Sequence, residues 1–294
     1  MRRVLVVGDV VDDIVVRPLG VVTAASDTNA EIRVHPGGSA ANVAAWLGWL
    51  GADVAFAGCA GAGASTRHGD ALRRHGVDAH VAEVPTSVTA TIVLVLDGDG
   101  ERTMFVDRGA NAALSPDQVP AALWDDVGWL HLTGYSFFDD AVRPTASRLL
   151  AEARLRRVGI SVDPSSVGFL DVCGPRAFLE WTAGCDLLLA NEAEGRLLTG
   201  EVDAGRAADA LTATYRAVVV TLGARGALAR TADGAGWDVE AVETEVVDTT
   251  GAGDAFCAGY LAGCQRGDSP QRCLDLGART AAMAVASVGA RPSD

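Results

Sequence analysis

Short apolar runs rich in β-branched residues recur along this chain. Each run is closed by small or acidic residues, and most are separated by helix-length stretches. The runs are Val4–Val7, Val54–Ala57, Gly128–Leu132, Gly159–Val162, Asp186–Ala190 and Ala217–Leu222. Ser39–Leu50, Ser65–His75, Ala141–Arg157, Glu192–Leu198 and Ala204–Tyr215 read as the intervening helices. A strand that is apolar without alternation is buried on both faces, as in a parallel sheet clad in helices. The pattern therefore predicts an α/β fold with a mostly parallel central sheet and helices on both faces. In such sheets ligands bind beyond the carboxyl ends of the strands. Polar residues gather at those ends: Asp9 to Asp13, Thr133-Gly134-Tyr135, Asp163, Asn191 and Thr221.

Two regions break the alternation. Residues 14–36 and about 80–108 carry β-like pieces without long helices. Thr89–Leu96 and Arg102–Val106 flank Asp97-Gly-Asp-Gly-Glu101, a hairpin turn signal. These pieces predict either a small accessory sheet or an edge hairpin. No linker, repeat or low-complexity tract divides the chain, so residues 1–294 read as a single α/β domain.

Charge and composition exclude several function classes. A formal charge of −14 repels phosphate backbones, so no nucleic-acid partner is expected. An anionic substrate must then be held by helix N-termini, backbone amides, a metal ion or a few arginines. All 24 basic residues are arginine. The lack of lysine excludes the Walker A lysine, the protein-kinase β3 lysine and Schiff-base chemistry. The six cysteines form no C-x-x-C pair and lie near no suitably spaced histidine. They read as buried reduced thiols in a cytoplasmic enzyme, without a zinc site or a disulfide framework. Met1 to Gly8 reads as a first strand, because Asp9, Asp12 and Asp13 interrupt the apolar run. No apolar run approaches the ~18 residues of a membrane span, so no membrane partner is expected.

Two segments carry chemistry. In Val246-Val-Asp-Thr-Thr-Gly-Ala-Gly-Asp-Ala-Phe-Cys-Ala-Gly-Tyr260, a strand-like pair ends at Asp248 and a helix starts near Gly253. Small residues at a helix start let backbone N–H groups approach an anion, with the helix dipole adding attraction. Asp254 falls in the first turn. Either it simply favours the positive helix end, or it is a base held beside an anion hole. In Pro36-Gly-Gly-Ser-Ala-Ala-Asn42, the two glycines make a tight strand-to-helix turn and Asn42 offers a polyol a donor and an acceptor. The plain alternative is a glycine turn before an amphipathic helix. No G-x-G-x-x-G is present, which argues against a nicotinamide-dependent oxidoreductase. His131 reads as a strand-end histidine and is not counted as a site residue.

Together these segments resemble the two signatures of the ribokinase (PfkB) family of carbohydrate kinases. Asn191-Glu-Ala-Glu194 resembles the family's N-x-x-E element, and Gly223-Ala-Arg-Gly226 resembles its G-x-x-G phosphate turn. The resemblance implies a ribokinase-like fold whose residues 14–36 and 80–108 form a small β-lid over the sugar site. It implies ATP-dependent phosphorylation of a hydroxyl on a small sugar or sugar-like substrate, with Mg²⁺ as cofactor. Asp254 matches the catalytic base, and Gly251, Ala252 and Gly253 match the anion hole. Asp13, Gly38 and Asn42 match substrate contacts, with Asp12 a near competitor to Asp13. Asn191, Thr221, Gly223 and Gly226 match the nucleotide site, and Glu194 matches a Mg²⁺ contact made through water. Asp248 and Thr250 match positions that bind a monovalent cation such as K⁺ in some members. In some members the lid also forms a homodimer interface.

The family often carries a G-D-x-x-G-like turn where this chain reads Gly58-Cys-Ala-Gly-Ala-Gly-Ala-Ser-Thr-Arg-His-Gly69, without aspartate. Substrate contacts are therefore not expected from that loop. The chain also ends at Arg-Pro-Ser-Asp294 without the longer tail usual in relatives, which weakens the cation-site expectation. A nucleoside kinase and a catalytically silent sugar-binding member are the alternatives within the family. The polar stretch Ala30-Glu-Ile-Arg-Val-His35 and the lack of an aromatic pair in the lid favour a sugar over a nucleobase.

Overall fold

The structure is a computed structural model and describes residues 2–96 and 102–293. The expected turn at 97–101 lies outside the described residues. Thirteen strands are described: β1 Arg3–Val7, β2 Val11–Pro18, β3 Ala30–Gly37, β4 Val54–Gly61, β5 Asp78–Val84, β6 Ala90–Leu96, β7 Arg102–Asp107, β8 Val127–Thr133, β9 Gly159–Asp163, β10 Leu187–Asn191, β11 Ala217–Thr221, β12 Ala227–Thr231 and β13 Gly236–Val239. Nine form one sheet in the order β13-β12-β11-β10-β9-β8-β1-β4-β5. Its pairings from β5 to β11 are parallel, and β12 and β13 extend it antiparallel.

The non-alternating runs are explained by burial on both sides. In β1, Val4 and Val6 pack into one apolar layer, and Leu5 and Val7 pack into the other. In β10, Leu187 and Leu189 face the first layer while Leu188 and Ala190 face the second. The first layer includes residues of the helices Ser39–Trp49, Ala252–Arg266 and Pro270–Val285. The second includes the helices Arg143–Arg156 and Ala204–Leu211. His131 sits on β8, fully buried, with Nδ1 3.0 Å from Ser161 Oγ. It belongs to the core.

The strand order reverses at β1: the chain steps outward through β4 and β5 on one side and later through β8 to β11 on the other. A crevice opens at the carboxyl ends of strands at such a switch point. Over it stands the second sheet, four strands in the order β3-β2-β6-β7. β2 pairs antiparallel with β3 and parallel with β6, and β6 pairs antiparallel with β7.

Three sequence expectations need correction. Residues 80–84 belong to β5 at the edge of the large sheet, because they pair with β4 rather than with β6. The small sheet begins at Val11 rather than residue 14, which places Asp13 within β2, paired with His35 of β3. Val246-Val247-Asp248 is not a strand. Val246 and Val247 are 62% and 54% exposed, and the Val247 and Asp248 N–H groups both donate to Val285 O, so no ladder forms. All six cysteines are free thiols, four of them buried. No helix among the described residues is long and apolar enough to cross a membrane.

Candidate active site

β1 ends at Val7, and two residues later Asp9 reaches across to the start of the helix Ser39–Trp49. The Ser39 and Ala40 N–H groups donate to its carboxylate at 2.8 and 3.1 Å, and Thr133 Oγ1 donates at 3.3 Å. The first N–H groups of a helix have no partner within it. Gly38 at the N-cap has no side chain to satisfy them, so Asp9 supplies the anion from outside. This fixes the helix over the crevice and presents Ser39 and Asn42 to the helix opposite.

That opposite helix, Ala252–Arg266, starts from Gly251 in the left-handed region at φ 74°. A Cβ on Gly251 would come within 2.6 Å of Ala290 Cα, so both conformation and space require glycine there. Asp254 lies in the first turn. Ser39 Oγ donates to its Oδ1 at 2.7 Å, and Asn42 Nδ2 donates to its Oδ2 at 2.9 Å. Burial, helped by the nearby Asp163 and Asp9 charges, pushes the Asp254 carboxyl up to about 8 despite these two hydrogen bonds. A carboxyl poised near neutrality beside unpartnered helix N–H groups can take a proton where negative charge gathers. The Ala252 N–H beside them makes only a long 3.3 Å bond to Thr249 O.

Asp254 opens into a cavity of about 1020 Å³ that runs between the two sheets. Gly251, Ala252 and Gly253 line it, as do Asp13, Gly38 and Asn42. The register separates Asp13 from its neighbour. Asp13 faces the cavity, whereas Asp12 turns away and accepts two 2.8 Å bonds from Arg67, with His68 at 3.2 Å. Gly37 makes room for Asp13, since a Cβ there would lie 2.0 Å from Asp13 Oδ2. Burial raises Asp13 to about 6, and the Arg291 charge opposes this. The loop after β4 sends no residue to the cavity wall. Its Arg67 and His68 anchor the small sheet instead, which gives the aspartate-free loop a structural task.

At the other end of the cavity Asn191, Glu194 and Thr221 line the wall. Asn191 and Glu194 form a reciprocal cap on the helix Glu192–Thr199. The Glu194 N–H donates to Asn191 Oδ1 and the Asn191 N–H donates to Glu194 Oε2, both at 2.9 Å. Burial, then the Asp163 charge, raises Glu194 to about 8. A carboxylate crowded in this way fits a cation, which would relieve both causes. Gly223 and Gly226 do not line the cavity. They bracket a tight turn in which the Leu222 N–H donates to Gly226 O at 2.8 Å, and Arg225 there pairs with Glu192 at 2.6 Å.

Asp248 Oδ1 accepts from the Thr250 N–H and Oγ1 at 2.9 and 2.7 Å, and its Oδ2 accepts from the Gly289 N–H at 3.1 Å. These bonds hold the loop before the Ala252 helix. Among the described residues no group of three or more His, Cys, Asp or Glu side chains is arranged to hold a metal ion.

Sequence reasoning passed over Ser39, Asp9 as a cap, and Arg291. The first two carried a signal, an acid directly after a strand and a hydroxyl at a helix start. Arg291 carried none, because 249 residues separate it from Asn42.

The whole chain, residues 1–294, matches the model of the pfkB family carbohydrate kinase. It is 34% identical to an ATP-dependent ribose-1-phosphate kinase of Halopiger xanaduensis, with 99% of this chain and 94% of the relative covered. A probable sugar kinase of Rhizobium etli CFN 42 superposes with a TM-score of 0.88 at 26% identity, covering 100% of this chain and 96% of that one. A fructokinase of Vibrio cholerae O395, with fructose, ADP and calcium bound, superposes with a TM-score of 0.84 at 25% identity, covering 99% and 94%. A family match of this extent, on a ribokinase-like fold with no lysine to serve a Walker A loop, makes the chain a member of the pfkB carbohydrate kinases, phosphotransferases acting on sugars or nucleosides.

Proposed function

We propose that this protein transfers the γ-phosphoryl group of ATP to a hydroxyl of a small sugar or sugar-like acceptor, with Asp254 as base. The observation that carries the reading is the double hydrogen bond from Ser39 and Asn42 that aims Asp254 into the cavity at a helix N-terminus. The four-stranded sheet is the lid: Asp13 on its cavity face grips acceptor hydroxyls, and Gly38 and Asn42 close the opposite side. Asn191 and Thr221 mark the nucleotide end.

The acceptor oxygen attacks the γ-phosphorus as the bond to the β,γ-bridging oxygen breaks. Its proton passes to Asp254, and ADP leaves. Phosphoryl transfer asks mainly for positioning and charge neutralisation. The N–H groups around Gly251 to Gly253 face the equatorial oxygens, where charge accumulates. Mg²⁺, held near Glu194 through water, would neutralise phosphate charge when bound. Asp248 and Thr250 would hold K⁺ only after turning from their present partners, Gly289 among them.

None of the described cavity-facing positions on the lid is Phe, Tyr or Trp, which supports a sugar over a stacked nucleobase. A second reading, that the sugar already bears a phosphate, is favoured by Arg17 and Arg33. Both line the cavity from the lid and form no ion pair among the described residues. The relative named a ribose-1-phosphate kinase agrees with it. The test is ADP release from MgATP across free sugars, sugar phosphates and nucleosides. Turnover confined to nucleosides would overturn the sugar reading, and no turnover with any acceptor would favour a silent binding protein. On the outer lid face Ile32, Val34 and Phe105 are 62%, 58% and 61% exposed, which supports a homodimer through the lid.

A further inference from the structure

Arg291 is a buried cation that the phosphotransfer chemistry above does not use. It is 8% exposed, near the end of the described chain, behind the helix Ser39–Trp49. The segment carrying it is pinned by Trp46, whose Nε1 donates to Ala290 O at 3.0 Å. Its Nη2 donates to Gly37 O at 2.8 Å, and its Nε donates to Asn42 Oδ1 at 3.0 Å. Nη1 is buried without a hydrogen-bond partner among the described residues, and no carboxylate there lies within ion-pair distance. Burying a charge this way is costly unless it acts on something nearby.

What it acts on is the direction of an amide. A guanidinium can only donate, and an ionised carboxylate can only accept. Asn42 sits between one of each, 4% exposed, with Oδ1 on Arg291 and Nδ2 on Asp254 Oδ2 at 2.9 Å. The reversed amide would point its oxygen at Asp254, which is tolerable only if Asp254 carries a proton and donates it. A protonated Asp254 cannot accept the acceptor's proton. We propose that Arg291 is a positioning residue that locks the Asn42 amide in the orientation donating to Asp254, and so selects the ionised, base-competent form. This rests on the reading of Asp254 as base.

Other charges face the pair and set the background. Asp9 and Asp163 act on Asp254 from the ends of β1 and β9, and Tyr135 and Cys257 stand beside it. Asp13, Asp9, Asp254 and Arg74 act on Arg291. None of these contacts the Asn42 oxygen. Removing the guanidinium frees that oxygen and also withdraws a positive charge from Asp13, Asp9 and Asp254, a charge that Arg291→Lys keeps.

The experiment is the pH dependence of kcat/KM for wild type, Arg291→Met, Arg291→Lys and Asp254→Asn, with thermal melts for each. Methionine removes every donor at similar length, and lysine restores one donor and the charge. In Arg291→Met the acid limb should move upward by about one pH unit, giving about a tenfold loss at neutral pH that recovers at high pH, with lysine in between. A limb that stays in place, whether activity is high or uniformly low, would make Arg291 merely structural and overturn the proposal. If the methionine variant fails to fold, the lysine variant decides, supporting the proposal by a displaced limb and overturning it by a coincident one. Turnover retained in Asp254→Asn would instead overturn the base assignment, and this role for Arg291 with it. A dead Asp254→Asn with an unmoved Arg291→Met limb would sink only the positioning role.

Discussion

Replacing Asp254 by Asn separates a base from a structural acid, because the two roles predict opposite changes in stability. The amide keeps one oxygen to accept from Asn42 and can donate to Ser39 Oγ, so the local packing survives. As a lost general base, it should lower kcat by about 10²–10⁴, or about 3–5 kcal/mol of transition-state stabilisation. Stability should move the other way. In the folded protein burial holds the Asp254 carboxyl at about 8, against 3.8 as the ordinary value. The folded state thus binds a proton that the unfolded state has already lost, so wild type loses stability as pH rises from about 4 to about 8. At 1.36 kcal/mol per pH unit that interval has a ceiling on the order of 5 kcal/mol. Water on the cavity face of the carboxyl cuts this, and we expect Asp254→Asn to be about 2 kcal/mol more stable than wild type at pH 8. The advantage should shrink towards pH 5. Urea denaturation at several pH values, beside ADP release, reads both quantities. A variant that keeps near-wild-type turnover, or that loses stability along with activity at every pH, would refute the reasoning.

Asp13→Asn should raise KM for the acceptor by about tenfold or more while kcat falls less, because a charged acceptor of hydroxyl hydrogen bonds is lost. Wild-type acceptor affinity should strengthen as pH rises through about 6, where burial has placed the Asp13 carboxyl, and weaken below it. Glu194→Gln preserves the reciprocal cap with Asn191, since Gln serves that position as well as Glu, so the fold should stand. It should raise the Mg²⁺ concentration for half-maximal turnover by about tenfold. An unchanged Mg²⁺ titration would remove Glu194 from the metal's surroundings.

The large sheet was legible in the sequence because strands buried on both faces must be apolar throughout, and Val4–Val7 and Ala217–Leu222 are. The location of the crevice followed from the small and acidic residues that end those strands. The helix start at Gly251 to Asp254 was legible for a local reason: its glycines and its acid answer to the same turn of backbone. The Val246–Asp248 reading failed because β-branched composition marks strands only where a partner edge exists, and none is there. Asp12 and Asp13 could not be separated by sequence, since register decides which of two adjacent side chains faces the cavity. Only the tertiary structure brought Ser39 to Asp254 and set Arg291 behind Asn42. These contacts join residues up to 249 positions apart, and no local propensity encodes them. The sequence by itself determined the sheet, the crevice and the presence of a kinase-like helix start. The folded chain decided which atoms hold the carboxyl there, because hydrogen-bond direction depends on what lies across a packed interface and not on what lies beside it in the chain.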